Sequence, residues 1–191
     1  MKLKEGDLLY HGSYTAIRQI DLSKCADGKD FGKGFYLSDD PEQAKGFIRT
    51  SLKKAKNMGI LSPEQNCGYV SIFRYHNPTE RVRIYTFDTA NQDWLWFVSM
   101  NRRSHLAARL QKRLDENLQG AEIVIGKIAN DTTNPTITVY LSGLYGEIES
   151  EAAVNFAIGQ LRPERLKEQY CFLTQAAVNC LEPVEVICYE L

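Results

Sequence analysis

Apolar residues fall in short bursts along this chain, and their spacing marks out the elements. Asp7 to Tyr10 make the first burst, read as an early strand that delivers His11, Gly12 and Ser13 at its end. A loop rich in Gly, Lys and Asp follows from Ser23 to Gly34, and Phe35, Tyr36 and Leu37 form a second short apolar element. Asp40-Pro41 predicts a helix start: Asp40 can cap it, Pro41 suits the first helical position, and Gln43 stands in the capping-box place. That helix is expected to reach about Asn57, with Ala44, Phe47, Ile48 and Leu52 as its apolar stripe.

Beyond Gly59 and Ser62-Pro63, the segments Tyr69 to Tyr75 and Val82 to Phe87 alternate apolar and polar residues, as half-buried strands do, with a turn at Asn77-Pro78. Thr89 is expected to cap a helix carrying Trp94, Phe97 and Val98 on one side, and a second helical run is predicted over Ser104 to Leu118. Together they form a helical block at about 89–118, with Trp94 and Trp96 on different faces and one of them in the core. Strand patterning resumes at Ile123 to Ile128, breaks at Ala129-Asn130-Asp131, and returns at Ile137 to Leu141. Glu149 to Leu161 reads as an amphipathic helix. Tyr170 to Leu173, a short helix capped by Thr174, and Val184 to Tyr189 close the domain. Short strands without regular helix alternation argue against a doubly wound parallel sheet. The expected class is α+β: one domain over 1–191 with a mostly antiparallel core and flanking helices.

Composition narrows the function classes. The 191 residues are 43% hydrophobic and 25% charged, which suits one ordinary domain. A net charge of −1 gives no global electrostatic case for nucleic acid or an anionic membrane, although Arg102, Arg103, Arg109, Lys112 and Arg113 cluster locally. No apolar run approaches the roughly 20 residues that cross a bilayer, so the expectation is a soluble, cytoplasmic protein. Cys25, Cys67, Cys171, Cys180 and Cys188 are odd in number and lack a CxxC pair, and with only His11, His76 and His105 no metal site is expected.

The chemistry points to the ends of the first two strands. His11 stands beside a glycine that lets a ligand approach the backbone. Gly32 and Gly34 bracket Lys33 without the spacing of a phosphate loop. Such a turn suits setting an aromatic ring over a flat ligand. Phe47, eleven residues after Tyr36, can return a second ring to the same cleft.

These stretches, LLYHGS (Leu8 to Ser13) and FGKGFYLSDDPEQA (Phe31 to Ala44), resemble the two signature blocks of the ADP-ribosyltransferase fold, in the His-Tyr-Glu branch of diphtheria-type toxins and poly- and mono-ADP-ribosyl polymerases. The whole chain is similar to a bacterial family of ADP-ribosyltransferase-like proteins. The features shared with it are the Trp-containing helix with its Asn-Arg (Trp94 to Arg102), the Gly126 to Asp131 segment, and the late block Gln169 to Thr174. The resemblance implies a split β core and NAD as substrate, with no metal. His11 would bond the ribose beside adenine, Gly12 would hold the nicotinamide amide through its backbone, and Tyr36 would pack on the nicotinamide ring. Phe47 stands where many relatives place a second tyrosine, and Ala44 where some use a serine. Ser13, Phe31, Lys33, Gly34 and Ser38 complete the implied NAD contacts.

The third motif position departs from the pattern. Relatives place a glutamate near the reacting ribose, whereas the matching block here, KEQYCFLT, offers Gln169, an amide with only partial negative charge. Glu168, Asp131 and Glu149 are the alternative sources of a carboxylate. An amide there implies transfer of a single ADP-ribose, or hydrolysis of NAD, rather than chain growth. The implied partners are a macromolecular acceptor, chiefly protein, and a neutralising antitoxin, since such bacterial proteins are often toxins or effectors. Two further readings stand beside this: an NAD binder or slow NAD glycohydrolase, and a non-catalytic interaction domain.

Overall fold

The computed structural model describes residues 2–129 and 133–191. Strand β1 (Leu8–Ser13) is central to the site and runs straight through His11 rather than ending before it. It pairs antiparallel with β3 (Cys67–Tyr75), which in turn pairs antiparallel with β7 (Leu181–Glu190), so the order in this first sheet is β1-β3-β7. A second sheet has the order β2-β6-β5-β4, from Phe35–Leu37, Glu168–Phe172, Ile123–Lys127 and Ile84–Thr86. Its pairs are antiparallel except β4 with β5, which is parallel. The protein is therefore a mixed α+β fold with largely antiparallel sheets, as the strand pattern predicts.

The two sheets meet edge to edge at a bridge between Tyr10 and Ser38. Tyr10 N–H donates to the Ser38 carbonyl at 2.8 Å, and Ser38 N–H returns a bond to Tyr10 at 2.9 Å. Beyond it the sheets splay. Leu9 and Phe73 of the first sheet pack against Phe35, Leu37, Ile123, Ile125, Tyr170 and Phe172 of the second, forming one apolar core between them. Residues alternate in direction along a strand, so Tyr36, Val124, Gln169 and Cys171 face the other way. That face carries a second core built on helix α2 (Gln92–Arg102).

Helix α1 (Pro41–Asn57) begins as predicted: Asp40 accepts from the N–H groups of Glu42 and Gln43, with Pro41 at the first position. Its buried stripe is Ala44, Ile48, Leu52 and Ala55, while Phe47 is 38% exposed and lies outside the stripe. Helix α2 is capped by Asn91, whose side chain accepts from Trp94 N–H, rather than by Thr89. Both Trp94 and Trp96 are buried, because sheet and helices enclose α2 on several sides. The run expected over Ser104 to Leu118 is broken into α3 (Ala107–Leu110), α4 (Glu116–Gln119) and intervening 3₁₀ turns.

Ile137 to Leu141, expected as a strand, lies in helix α5 (Asn134–Leu141). Pro135 sits in its first turn, and packing of Ile137 and Tyr140 against α6 (Glu151–Leu161) outweighs the β propensity of the Ile-Thr-Val run. The last helix, α7 (Gln175–Val178), is capped by Thr174 as predicted. Among the described residues, no helix is long and apolar enough to cross a membrane.

Candidate functional site

The junction of the two sheets brings together His11, Tyr36 and Ser38, with Gly12 and Phe47 beside them. His11 Nδ1 lies 2.8 Å from the Tyr36 carbonyl, and its ring stacks on Phe35 at 4.5 Å between centroids. A carbonyl only accepts, so Nδ1 carries the proton, and the neutral ring presents Nε2 as an acceptor. Burial holds the imidazole pKa below its usual value, partly offset by the bond to Tyr36, so this neutral state is favoured. Along β1 the backbone groups alternate in direction. Those of Tyr10 turn outward to Ser38, and those of Gly12, two residues on, turn to the same edge of the sheet. Glycine is required here for packing: a Cβ on Gly12 would stand 1.7 Å from the Ala44 carbonyl oxygen.

Tyr36 projects to the opposite face of the second sheet from Phe35. Its hydroxyl accepts from Phe31 N–H and donates to the Gly32 carbonyl, both at 2.8 Å. Burial pushes its pKa well up, so the phenol stays neutral. The loop thus clamps the hydroxyl, and the half-buried ring packs beside Phe31 against the core on α2. Phe31 and Gly34 serve packing instead. Phe31 is 1% exposed among Phe87 and Phe97, and a Cβ on Gly34 would meet Cys171 Sγ at 2.6 Å. Ser13 and Ser38 are buried, their hydroxyls accepting from the N–H groups of Thr15 and Asp40, and Lys33 is exposed on the loop.

Phe47 is an exposed ring, its Cβ facing the position a Gly12 side chain would take. A shallow pocket of 150 Å³ opens beside it, lined by Gln43, Gly46, Phe47, Thr50, Ile128 and Lys167. Gln43 does not close a capping box; its Nε2 reaches across to the Glu168 carbonyl at 3.3 Å. That bond fixes the amide orientation and leaves Gln43 Oε1 as a buried acceptor with no partner among the described residues. A buried acceptor without a protein partner is open to a donor from water or from a bound molecule.

Gln169 is 5% exposed and on the same face as Tyr36. Its Nε2 donates to Asp30 Oδ2 at 3.1 Å and contacts the Lys127 carbonyl at 3.4 Å. The alternative carboxylates are engaged elsewhere: Glu168 pairs with Lys127 at 2.6 Å on the opposite face, and Glu149 pairs with Arg109 and Arg113. Asp131 lies outside the described residues.

Asp30 is the residue that sequence reasoning missed. Its Oδ1 takes Arg102 Nε at 3.0 Å and Nη2 at 2.7 Å, while Oδ2 also takes Ala129 N–H at 3.0 Å. Asn101 bonds its backbone carbonyl, and Trp94 Nε1 bonds the Lys127 carbonyl beside it. Three stretches far apart in sequence, around Trp94 to Arg102, Gly126 to Ala129 and Gln169, therefore converge on one carboxylate. The available signal was the Asn-Arg pair after the tryptophans, which needed a buried acid that no local pattern identifies.

The family described as a protein of unknown function, DUF3990, matches residues 8–182. The chain belongs to the DUF3990 family. The match spans β1 to the start of β7, so every element that builds the junction in this DUF3990 protein lies inside it. No curated protein and no solved structure matches the chain. Among the described residues of this DUF3990 chain, no group of three or more His, Cys, Asp or Glu side chains is arranged to hold a metal ion.

Proposed function

We propose that this protein is an NAD-dependent mono-ADP-ribosyltransferase, which cleaves the nicotinamide–ribose bond and transfers one ADP-ribose to a macromolecular acceptor, with the cytoplasm as its working compartment. The observation that carries the reading is the junction itself: His11 bonded to the Tyr36 carbonyl, with the edge backbone of Gly12 and the ring of Phe47 beside it. These are the residues that the resemblance to ADP-ribosyltransferases names, and a split between two largely antiparallel sheets suits that fold. The unpartnered Gln43 Oε1 fits a ligand that brings an N–H donor, as a carboxamide does.

In this reading His11 Nε2 accepts from a ribose hydroxyl, Gly12 holds the carboxamide through its backbone, and Tyr36 and Phe47 offer aromatic faces to the nicotinamide ring. The dinucleotide supplies the labile bond and its own leaving group. Gln169 adds a polar contact to the ribose. Because that contact is an amide rather than a carboxylate, hydrolysis or binding without transfer is the second reading. A protein acceptor and a neutralising partner belong to the proposal in the same way.

The test is nicotinamide release from NAD, followed by chromatography with and without cell lysate, and with His11→Ala as control. Release that needs His11 and lysate, together with a labelled macromolecule, supports transfer. Release without an adduct supports a glycohydrolase. NAD that is neither bound nor consumed overturns the reading and leaves an interaction domain.

A further inference from the structure

We propose that Asp30 is a positioning residue that sets the orientation of the Gln169 amide, so that the site meets its ligand with a hydrogen-bond acceptor at this position. The inference rests on the NAD reading for the identity of the ligand; the orientation itself stands on geometry alone.

A glutamine side chain can be turned over at little cost, exchanging its donor and acceptor ends, and its surroundings decide which way it lies. At Gln169 they decide firmly. Asp30 Oδ2 at 3.1 Å and the Lys127 carbonyl at 3.4 Å are both acceptors, so the NH₂ group must face them. The carbonyl oxygen Oε1 is consequently the end turned away from Asp30. The carboxylate is itself immobile. Arg102 grips Oδ1 through Nε and Nη2, and reaches on to the Ala129 carbonyl at 2.9 Å and Asn134 Oδ1 at 2.8 Å, while Ala129 N–H holds Oδ2. Asp30 and Arg102 are only 12% and 17% exposed at their side chains, so solvent does little to loosen the grip.

Two consequences follow. A carboxylate accepting from the amide nitrogen polarises the whole amide and enriches Oε1 in negative charge, since neighbouring hydrogen bonds reinforce one another in a low dielectric. The acid charge of this region is thus applied from behind, through Gln169. The segment that supplies it also holds the Tyr36 hydroxyl through Phe31 and Gly32, so one stretch of three residues orients two predicted ligand contacts on the same face. A donor on the ligand, here a ribose hydroxyl, is what such an acceptor recognises.

Asp30→Asn tests the assignment because it keeps the shape, and with Arg102 retaining the amide oxygen at the Oδ1 position the new NH₂ stands opposite that of Gln169. The first readout needs no ligand. In ¹⁵N-labelled protein the Gln169 side-chain amide, assigned by its loss in Gln169→Met, should exchange slowly with solvent and shift in D30N. A signal that does not move overturns the proposal whether or not NAD binds. The second readout compares NAD with an analogue lacking the 2′-hydroxyl of the nicotinamide ribose. Wild type should prefer NAD by about tenfold, the scale of one good hydrogen bond to a polarised group. D30N should lose most of that preference, and Gln169→Met should lose it as well. A D30N protein that weakens for both dinucleotides equally, keeping the wild-type ratio, makes Asp30 a structural residue and overturns the proposal. Wild type that binds neither dinucleotide overturns the NAD reading, a failure distinct from that of the amide signal.

Discussion

At position 169 the amide nitrogen satisfies two acceptors, Asp30 Oδ2 and the Lys127 carbonyl, and a carboxylate there would satisfy neither. Introducing the glutamate of the ADP-ribosyltransferase pattern here is therefore not a neutral exchange. Gln169→Glu would place a second acid against Asp30 with no donor between them, costing about 2 kcal/mol of stability at neutral pH. The introduced carboxyl should titrate above its ordinary range. Its folded-state pKa is raised, so the deficit is full above that pKa and shrinks as pH falls toward the unfolded value of about 4.3. Denaturant unfolding at pH 5 and pH 7.5 measures this. A variant as stable as wild type at both values would show that Asp30 does not face position 169. In sequence terms Gln169 came to notice only through the resemblance of its block to the ADP-ribosyltransferase pattern, and the acid behind it did not, because Asp30 lies 139 residues away and carries no local pattern.

The element that organises the site is the packing of α1 on β1. Gly12 sits against the Ala44 carbonyl, and Gly68 of β3 sits against Ile48, whose Cγ2 would lie 2.1 Å from an added Cβ. The helix therefore rests directly on backbone, which brings Phe47 and Gln43 to the junction edge. Gly12→Ala demands that the helix lift or the strand bend, and a loss of about 3 kcal/mol or more is expected, on the scale of severe overpacking. A thermal or chemical denaturation curve checks it, and a loss below about 0.5 kcal/mol would mean that helix and strand do not touch at this point. The start of α1 was legible from Asp40 and Pro41 because caps are local chemistry. The burial of its stripe was less so. Phe47 fits the helical period yet remains exposed, since it faces Gly12 on β1, the outer strand of its sheet, where the glycine has no side chain to cover it.

Across the whole molecule, His76 ties the N-terminal segment to β7. Its Nδ1 lies 2.7 Å from Glu5 Oε1 and its Nε2 lies 3.0 Å from Glu182 Oε2, while its backbone N–H donates to the Cys180 carbonyl. Arg74 is the other charge on this group, 3.7 Å from Glu182. The bonds to Glu182 and then Glu5 raise the imidazole pKa. The folded state therefore binds the proton more tightly than the unfolded state. The stabilisation is complete below the unfolded value of about 6.5 and is lost as pH rises through the raised folded value. His76→Gln should flatten that part of the profile, reducing the fall in thermal midpoint between pH 6 and pH 8. An unchanged difference between the two midpoints would sink the prediction. Solvent exposure keeps this contribution small.

The three scales separate what was local from what was not. Short-range pattern determined the α+β class, the caps at Asp40 and Thr174, and most strands, because alternation and capping are set by neighbouring residues. It also drew attention to His11, Gly12 and Tyr36, whereas Gln169 came from the resemblance to ADP-ribosyltransferases. Only the tertiary structure decided that both tryptophans are buried, that Ile137 to Leu141 is helical against α6, and that Phe31 and Gly34 belong to the packing. It alone joined Asp30 to Arg102, Ala129 and Gln169, since a buried carboxylate takes its partners from whatever the fold brings within about 3 Å, at any separation along the chain.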